Sequence, residues 1–230
     1  MSEDLFNIAR RDFLRACATG GAGLALLQYL VKRTLTCRSD GKFPGGVRGM
    51  EDALRGRHSE LNPRYTFESF VFGDANRVTH GACLAVSVAP ARMHNPLFIH
   101  GAAGSGKTHL LHAIGNRILV TICGERVFYV TGKQLNNKLS EATDIQSLLE
   151  FKKRFRQASV LLIDDIQLLA GKQHSQEEFF HLFNTVFDTR RQIIISSNCP
   201  PDELTEFAPR LFHRFRWGLE VELLPPYRPA

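Results

Sequence analysis

The fold of this chain is decided by residues 95–116, which read NPLFIHGAAGSGKTHLLHAIGN. Residues 101–108 at its centre fit the pattern G-x-x-x-x-G-K-[ST]. An apolar run at 96–100 leads into this glycine-rich segment, and helix-forming residues at 109–114 follow it. A glycine-rich turn of this pattern between a strand and a helix is typical of a phosphate-binding loop. The stretch therefore predicts a parallel α/β sheet with the loop at the carboxyl end of one strand.

The residue types in this loop suit the polyphosphate of ATP. Glycines let backbone N–H groups turn inward around phosphate oxygens, and the amino end of the following helix adds a partial positive charge. We expect Lys107 to reach the β- and γ-phosphates and the Thr108 hydroxyl to ligate Mg²⁺. The expected cofactors are therefore ATP and Mg²⁺. The predicted nucleotide-binding residues are Gly101, Ala102, Ala103, Gly104, Ser105, Gly106, Lys107, Thr108 and His109.

Short apolar runs recur along the chain after residue 61, and helical stretches separate them. They lie at 97–99, 127–130, 160–163, 193–195 and 219–223. Strands that alternate with helices form parallel sheets covered on both faces. This part of the sequence therefore predicts a single α/β domain built on five strands.

Two carboxylates follow the third apolar run. A buried parallel strand places such residues at its carboxyl end, where ligands bind in open α/β sheets. There Asp164 can join Thr108 in holding Mg²⁺, and Asp165 can orient or deprotonate the attacking water. An ordinary turn is the alternative for an Asp-Asp pair alone, but the phosphate loop upstream favours the metal site. Asn198, after the run at 192–197, is placed to hydrogen-bond the γ-phosphate and the water.

The composition is that of a packed domain with a mildly basic surface. The chain has 230 residues, 43% of them hydrophobic, and a formal net charge of +6 with a pI near 9.2. This charge permits an acidic partner such as nucleic acid without requiring one. The 5 cysteines are widely spaced and form no C-x-x-C pattern, so we expect reduced thiols in a reducing compartment.

The first part of the chain differs in character from the rest. Residues 9–26, ARRDFLRACATGGAGLAL, resemble a twin-arginine export signal, in which two arginines precede a soft apolar run. Residues 38–60 mix glycine, proline and charge in the manner of a linker. We therefore predict an N-terminal extension at 1–60 and an ATPase domain at 61–230.

The export-like stretch and the phosphate loop point to different compartments. ATP is abundant only inside cells, and no A-x-A cleavage signal follows the apolar run. The uncharged run at 16–31 has 16 residues, which is short for a membrane-spanning helix. We predict a cytoplasmic protein. Twin-arginine export, or attachment to a membrane surface through residues 10–31, is the alternative.

Beyond the phosphate loop, several segments resemble one family. LNPRYTFESFVFG (61–73), LLIDDIQLLAGK (161–172), QEEFFHLFN (176–184) and RLFHRFRWGL (210–219) are similar to the ATPase domain of DnaA, the bacterial chromosomal replication initiator. The resemblance runs from about residue 61 to residue 226. It implies an AAA+ P-loop NTPase core, which is an α/β fold with a parallel five-stranded sheet in the order 5-1-4-3-2. It also implies ATP-Mg²⁺ binding and ATP-driven self-association at a replication origin.

The resemblance assigns roles to further residues. Asn198 falls at the family's sensor 1, where an Asp is usual. Arg214 matches the arginine finger that reaches the γ-phosphate on a neighbouring subunit, and Arg210 matches a second interface arginine. A solvated basic helix is the alternative for both arginines. The predicted catalytic residues are Asp164, Asp165, Asn198, Arg214 and Arg210.

The sequence also departs from the family pattern. The family continues after Pro225 and Pro226 into a helical lid with a sensor 2 arginine and a helix-turn-helix domain that reads duplex DNA, whereas this sequence stops at Ala230. We therefore expect single-stranded DNA rather than a specific duplex as the nucleic-acid partner, and weak ATP hydrolysis at most. Asn136 and His174 stand where the family tends to have Val and Arg as single-strand contacts, which should weaken the attraction to phosphate.

Three functions are open on the sequence. The favoured one is an initiator ATPase that self-associates with ATP and holds DNA. The first alternative is an AAA+ regulator or helicase loader that acts on full-length initiator or on the replicative helicase. The second is a non-catalytic remnant of a split initiator gene that only competes for subunit interfaces.

Two further patterns favour ordinary structural explanations. Residues 151–156, FKKRFR, predict an amphipathic helix whose Phe151 and Phe155 face the core, in preference to a basic, aromatic nucleic-acid surface. His109 and His112 lie three residues apart on the predicted helix, with no third ligand nearby in sequence. Packed or solvated histidines are favoured over a metal pair.

Overall fold

The computed structural model describes residues 61–92, 94–122, 125–140 and 145–225. The export-like stretch and the linker predicted within residues 1–60 lie outside the described residues. In the part of the chain that is described, no helix is both long enough and apolar enough to cross a bilayer.

The centre of the molecule is a parallel sheet of 5 strands. The strands are β1 (Leu97–His100), β2 (Val127–Thr131), β3 (Val160–Asp164), β4 (Gln192–Ser197) and β5 (Leu219–Glu222). Their order across the sheet is β2-β3-β4-β1-β5. This is the predicted order 5-1-4-3-2 read from the other edge, so the predicted fold class and strand order are confirmed.

Helices cover both faces of this sheet. The described α-helices are α1 (Arg77–Val88), α2 (Lys107–Thr121), α3 (Gly132–Ser140), α4 (Ile145–Gln157), α5 (Gln173–Asp188) and α6 (Pro209–Phe215). The described residues also form short 3-10 turns at Asp74–Asn76, before α1, at Ile166–Leu169, after β3, and at Pro201–Glu203, after β4. Apolar residues of α1 and α2 pack on one face of the sheet, and those of α3 to α6 pack on the other.

Strand β3 shows how one sheet supports two cores. Successive side chains of a strand point to opposite faces. Leu161 and Ile163 accordingly join the cluster that contains Phe155, while Leu162 joins the cluster that contains Ile114 of α2. Both β3 and β4 are buried along their whole length, as expected for the central strands of a parallel sheet.

Helix α4 has the amphipathic form that the sequence predicts. Phe151 and Phe155 are buried in the core, so their rings cannot stack on bases. The Lys152 ammonium lies 2.5 Å from a carboxylate oxygen of Glu178 on α5. The Arg154 guanidinium lies 4.9 Å from the centre of the Phe128 ring. The apolar side of α4 therefore packs against the sheet, and its basic side chains lie at the edge of this packed surface.

We expect Phe155→Ala to lower the free energy of unfolding by about 3–5 kcal/mol, because the substitution leaves a cavity in a fully buried site. The control Lys153→Ala changes an exposed residue of the same helix and should stay within about 0.5 kcal/mol of the original stability. Urea unfolding followed by far-UV circular dichroism measures both. Equal stability of the two variants would show that the buried face of α4 is wrongly assigned.

Candidate functional site

The glycine-rich loop occupies the carboxyl end of β1, and α2 begins at its Lys107. Two of its glycines are required by their surroundings. Gly101 has a φ of 153°, and a Cβ there would lie 2.4 Å from the backbone oxygen of Leu223. Gly106 has a φ of 102°, and a Cβ there would lie 2.9 Å from the Phe70 ring. A side chain at Gly101 would therefore collide with backbone and one at Gly106 with the Phe70 ring, and both positions have a φ that favours glycine.

Lys107 is held inside the loop. Its Nζ donates hydrogen bonds to the backbone oxygens of Gly101, at 2.7 Å, and Ala102, at 2.9 Å. Burial lowers the pKa of the Lys107 ammonium from its ordinary value, and the negative charges of Asp165 and Asp164 oppose part of that shift. The loop thus presents a desolvated ammonium group close to two carboxylates.

Ser105 adds a second polar group to the loop. Its hydroxyl oxygen is buried and has no hydrogen-bond partner among the described residues. Buried polar groups are nearly always satisfied in native proteins, so an unpaired one in this position points to a ligand atom that completes it. The loop residues therefore fit a phosphate group.

Asp164 ends β3 and is only 2% exposed. Its Oδ2 accepts a hydrogen bond of 2.8 Å from the Tyr129 hydroxyl of β2. Its Oδ1 accepts a hydrogen bond from the Ser196 hydroxyl of β4. A carboxylate that is buried between two strands is thereby satisfied by two neutral donors.

Asp165 lies in the left-handed conformation, with φ 53° and ψ 53°, at the turn that leaves β3. Its N–H donates to the Ser196 hydroxyl at 2.9 Å, and its Oδ1 accepts from the Gln167 amide at 2.9 Å. The Gln167 side-chain oxygen in turn accepts the N–H of Asn198 at 3.3 Å. Gln167 therefore joins the acid pair to the residue that follows β4.

The strand register brings the predicted site residues to one edge of the sheet. His100 pairs with Ser197, so the loop after β1 and Asn198 after β4 begin at the same level. Ile163 pairs with Ile195, so Asp164 lies beside Ser196. The side chain of Asn198 is exposed at this edge.

The two histidines of α2 are packed against neighbouring rings. His109 has its Nε2 2.7 Å from the Thr66 oxygen, and its ring is stacked on Tyr65 at 4.8 Å. His112 is buried, and its Nδ1 accepts the N–H of Asn62 at 3.1 Å. Burial lowers the pKa of His112, Asp164 opposes the shift and His109 adds to it. Both rings are thus packed, which agrees with the prediction of packed or solvated histidines.

Arg210 and Arg214 lie four residues apart on α6. Their guanidinium groups lie 4.7 and 5.8 Å from the centre of the same Phe180 ring of α5. Arg210 also forms an ion pair of 3.0 Å with Glu177, and Arg214 lies 3.7 Å from the Trp217 ring. Within the described residues, no hydrogen bond or ion pair joins either arginine to the loop of its own chain.

Of the two residues predicted to lie near a DNA strand, Asn136 contacts the neighbour of the other, His174. The Ser175 hydroxyl of α5 donates to the Asn136 side-chain oxygen of α3 at 2.9 Å. His174 is next to Ser175, and both His174 and the preceding Lys172 are exposed. The structure therefore brings Asn136 to the first turn of α5, which follows the exposed Lys172.

The sequence does not predict three residues that contact the acid pair, namely Tyr129, Ser196 and Gln167. Each acts through a contact between strands or between a turn and a strand, which no sequence motif marks. The one signal for Tyr129 in the sequence is its polar hydroxyl in the otherwise apolar run at 127–130. Ser196 could have been found only once the β3–β4 register was known.

The sheet order and the positions of the loop and the acid pair along it place the chain among the AAA+ P-loop nucleoside triphosphatases. The family model for the bacterial DnaA ATPase domain matches residues 61–222, and the chain belongs to this family. The chromosomal replication initiator protein DnaA of Caldanaerobacter subterraneus is 48% identical over 168 residues, which are 73% of this chain and 38% of that protein. The chain thus spans well under half the length of this relative.

Solved structures agree with this family membership. Domain III of the replication initiation protein DnaA from Thermotoga maritima is 44% identical with a TM-score of 0.69, and the match covers 73% of this chain and 70% of that chain. A replication initiator DnaA bound to AMPPCP and single-stranded DNA is 37% identical with a TM-score of 0.67, over 71% of this chain and 51% of that chain. The DnaC helicase loader, 16% identical with a TM-score of 0.61 over 70% of this chain and 99% of that chain, shares the fold.

Proposed function

We propose that this chain binds ATP and Mg²⁺ as the ATPase domain of a replication initiator. The observation that carries the proposal is the Lys107 ammonium, which is buried in the glycine-rich loop and held there by two backbone oxygens. A positive charge at a helix amino end, beside the unpaired hydroxyl of Ser105, attracts phosphate oxygens. The relative bound to AMPPCP supports a nucleotide at this loop.

Thr108 and Asp164 are the residues that would hold Mg²⁺, because this ion binds carboxylate oxygens and, in phosphate-loop proteins, the hydroxyl of the Ser or Thr that follows the lysine. When bound, the ion supplies charge neutralisation on the phosphate oxygens. Asp165 lies at the same edge and would orient a water molecule or accept its proton. Asn198 is exposed at the neighbouring strand end and would hydrogen-bond the γ-phosphate.

Assembly of several chains would complete the site. The Arg214 guanidinium lies over the rings of Phe180 and Trp217, and among the described residues no hydrogen bond or ion pair joins it to the loop of its own chain. We infer that it reaches the nucleotide of a neighbouring chain, with Arg210 at the same interface. A site that depends on a neighbour should hydrolyse ATP slowly when the chains are apart. Such assembly at a replication origin is the function that the family supports.

Single-stranded DNA is the nucleic-acid partner that we propose. Lys172 supplies an exposed positive charge at the start of α5, beside His174 and the hydrogen-bonded side chain of Asn136. An imidazole attracts phosphate less strongly than an arginine near neutral pH, so binding should be weak and sensitive to salt. The relative bound to single-stranded DNA supports this partner.

We also propose that the ATPase domain begins near residue 61, and the family match, which begins at that residue, supports this boundary. The proposed use of ATP and of DNA favours the cytoplasm as the place of action. Full-length initiator and the replicative helicase are further candidate partners, because they act on the same DNA.

We expect Lys107→Ala to abolish binding of a fluorescent ATP analogue, because it removes the charge that faces the β- and γ-phosphates. Equilibrium titration in the presence of Mg²⁺ measures this, and circular dichroism checks that the variant is folded. Lys153→Ala, which removes an exposed positive charge elsewhere, is the control and should bind as the unchanged chain does. Unchanged affinity in Lys107→Ala would remove the nucleotide-binding proposal.

We expect ATP hydrolysis to be slow and to rise with protein concentration, and Arg214→Ala to abolish that rise, since an arginine finger contributes roughly 10³–10⁵ in rate. Mixing Arg214→Ala with Lys107→Ala should restore part of the activity, because one chain binds ATP and the other supplies the arginine. Arg216→Ala, at an exposed neighbouring position, is the control. Phosphate release is measured for the unchanged chain, Arg214→Ala, the mixture and Arg216→Ala. If Arg214→Ala hydrolyses ATP like the unchanged chain at every protein concentration, the proposed action of Arg214 on a neighbouring chain is wrong.

We expect Lys172→Glu to weaken the binding of a labelled single strand in the presence of ATP. The slope of log affinity against log salt should also become shallower, by about 0.7 for each phosphate that the lysine no longer neutralises. Lys153→Glu makes the same charge change on α4 and should leave binding unchanged. Fluorescence anisotropy across a salt series measures both. Equal weakening in the two variants would place the strand on the basic side of α4, and absence of binding to any strand would favour the regulator or loader that acts on proteins.

A further inference from the structure

Asp164 is held from both sides by strands that flank β3. The Tyr129 hydroxyl of β2 donates to one carboxylate oxygen at 2.8 Å, and the Ser196 hydroxyl of β4 donates to the other. The carboxylate is only 2% exposed. With one donor on each oxygen, rotation of the carboxylate about its own bond would break a hydrogen bond in a buried place.

We infer that Tyr129 and Ser196 are positioning residues that fix the Asp164 carboxylate for the magnesium-bound nucleotide. This inference rests on the proposed binding of ATP and Mg²⁺. A carboxylate oxygen has two acceptor positions, so each oxygen keeps one position for a water or a metal after it accepts from a hydroxyl. The hydroxyls are neutral, so the negative charge of Asp164 is retained. An arginine or lysine in either place would neutralise that charge.

Ser196 connects the two acids. Its O–H donates to Asp164, and its oxygen accepts the N–H of Asp165 at 2.9 Å. Asp165 lies in the left-handed conformation, which is unfavourable for a residue with a side chain and needs support from its surroundings. One hydroxyl therefore fixes both the carboxylate of Asp164 and the backbone at Asp165, where β3 turns toward Ile166–Leu169.

Tyr129 connects the acid pair to the helix that carries the loop. The Tyr129 ring lies 4.4 Å from the ring of His112, which belongs to α2. His112 is in turn fixed by the N–H of Asn62, which its Nδ1 accepts at 3.1 Å. Because α2 begins at Lys107, the direction of the Tyr129 hydroxyl is set by the same helix that presents the phosphate-binding lysine. Such outer contacts typically change metal affinity by about 10–100-fold.

The test distinguishes two roles for the Tyr129 and Ser196 hydroxyls. They either orient Asp164 for the magnesium-bound nucleotide or only supply hydrogen bonds to a buried carboxylate. A fluorescent ATP analogue is titrated into the full chain, once with Mg²⁺ and once with a chelator, for the unchanged chain, Tyr129→Phe and Ser196→Ala. We expect the affinity with Mg²⁺ to fall by about 10-fold or more in each variant. The affinity without Mg²⁺ should stay within about twofold, and the Mg²⁺ concentration for half-maximal binding should rise.

Two variants serve as controls. Tyr65→Phe removes the hydroxyl of a tyrosine that packs on the same His112, with ring centres 5.5 Å apart, and it should leave the Mg²⁺ dependence unchanged. Ser196→Thr keeps a hydroxyl and should recover most of the affinity that Ser196→Ala loses. Circular dichroism checks folding. If Ser196→Ala does not fold, Tyr129→Phe decides the question, because it removes a single oxygen atom.

The outcomes distinguish this inference from the proposal on which it rests. An unchanged Mg²⁺ midpoint in Tyr129→Phe, or an equal fall in affinity with and without Mg²⁺, would show that the hydroxyls serve only the fold. Absence of ATP binding by the unchanged chain in both conditions would overturn the proposed function itself, and this inference with it. Nucleotide binding by the unchanged chain together with a shifted midpoint in the variants would support both.

Discussion

The parallel register of the three central strands is the constraint on which the site depends. The pairing of His100 with Ser197 and of Ile163 with Ile195 makes β1, β3 and β4 end close to one level. The loop, the acid pair and Asn198 follow these three ends. A slip of one residue in either pairing would turn the side chains of that strand to the other face and separate these groups. The apolar cores on both faces oppose such a slip, because β3 and β4 are buried throughout.

Opposite charges are brought close together at this edge, and the structure satisfies them without direct neutralisation. Lys107 is bonded to backbone oxygens, and Asp164 is bonded to hydroxyls. Burial of a charge is costly unless it is hydrogen-bonded, and these neutral partners supply the bonds. A direct ion pair between the lysine and the acid would satisfy both as well, but it would leave neither free for a phosphate or a metal. The arrangement therefore favours a ligand that brings a negative phosphate to Lys107 and a positive metal ion to Asp164.

The elements that the sequence predicts are those that local patterns encode. Five apolar runs become five strands, and the glycine pattern becomes the loop between β1 and α2. Tyr129 and Ser196 escape such prediction because they contact a residue 35 and 32 positions away in the chain. Tyr129 pairs with Leu162, which lies two residues before Asp164 on the same side of β3, so only a long side chain can reach the carboxylate diagonally. That geometry is absent from any single segment and appears once the register is set.

The two arginines of α6 also make contacts that the sequence alone does not predict. These contacts differ between the two arginines, and the difference bears on their roles. Their spacing of four residues predicts a shared helix face, and both do lie over Phe180. Arg210 is paired with the carboxylate of Glu177, whereas Arg214 has no ion pair within the described residues and is stacked on Trp217 instead. A cation over an aromatic ring gains about 0.5–2 kcal/mol and keeps its full charge. Stacking thus fixes the Arg214 side chain while leaving its positive charge available to a phosphate, which a carboxylate partner would not. This difference supports Arg214, rather than Arg210, as the arginine that reaches a neighbouring nucleotide.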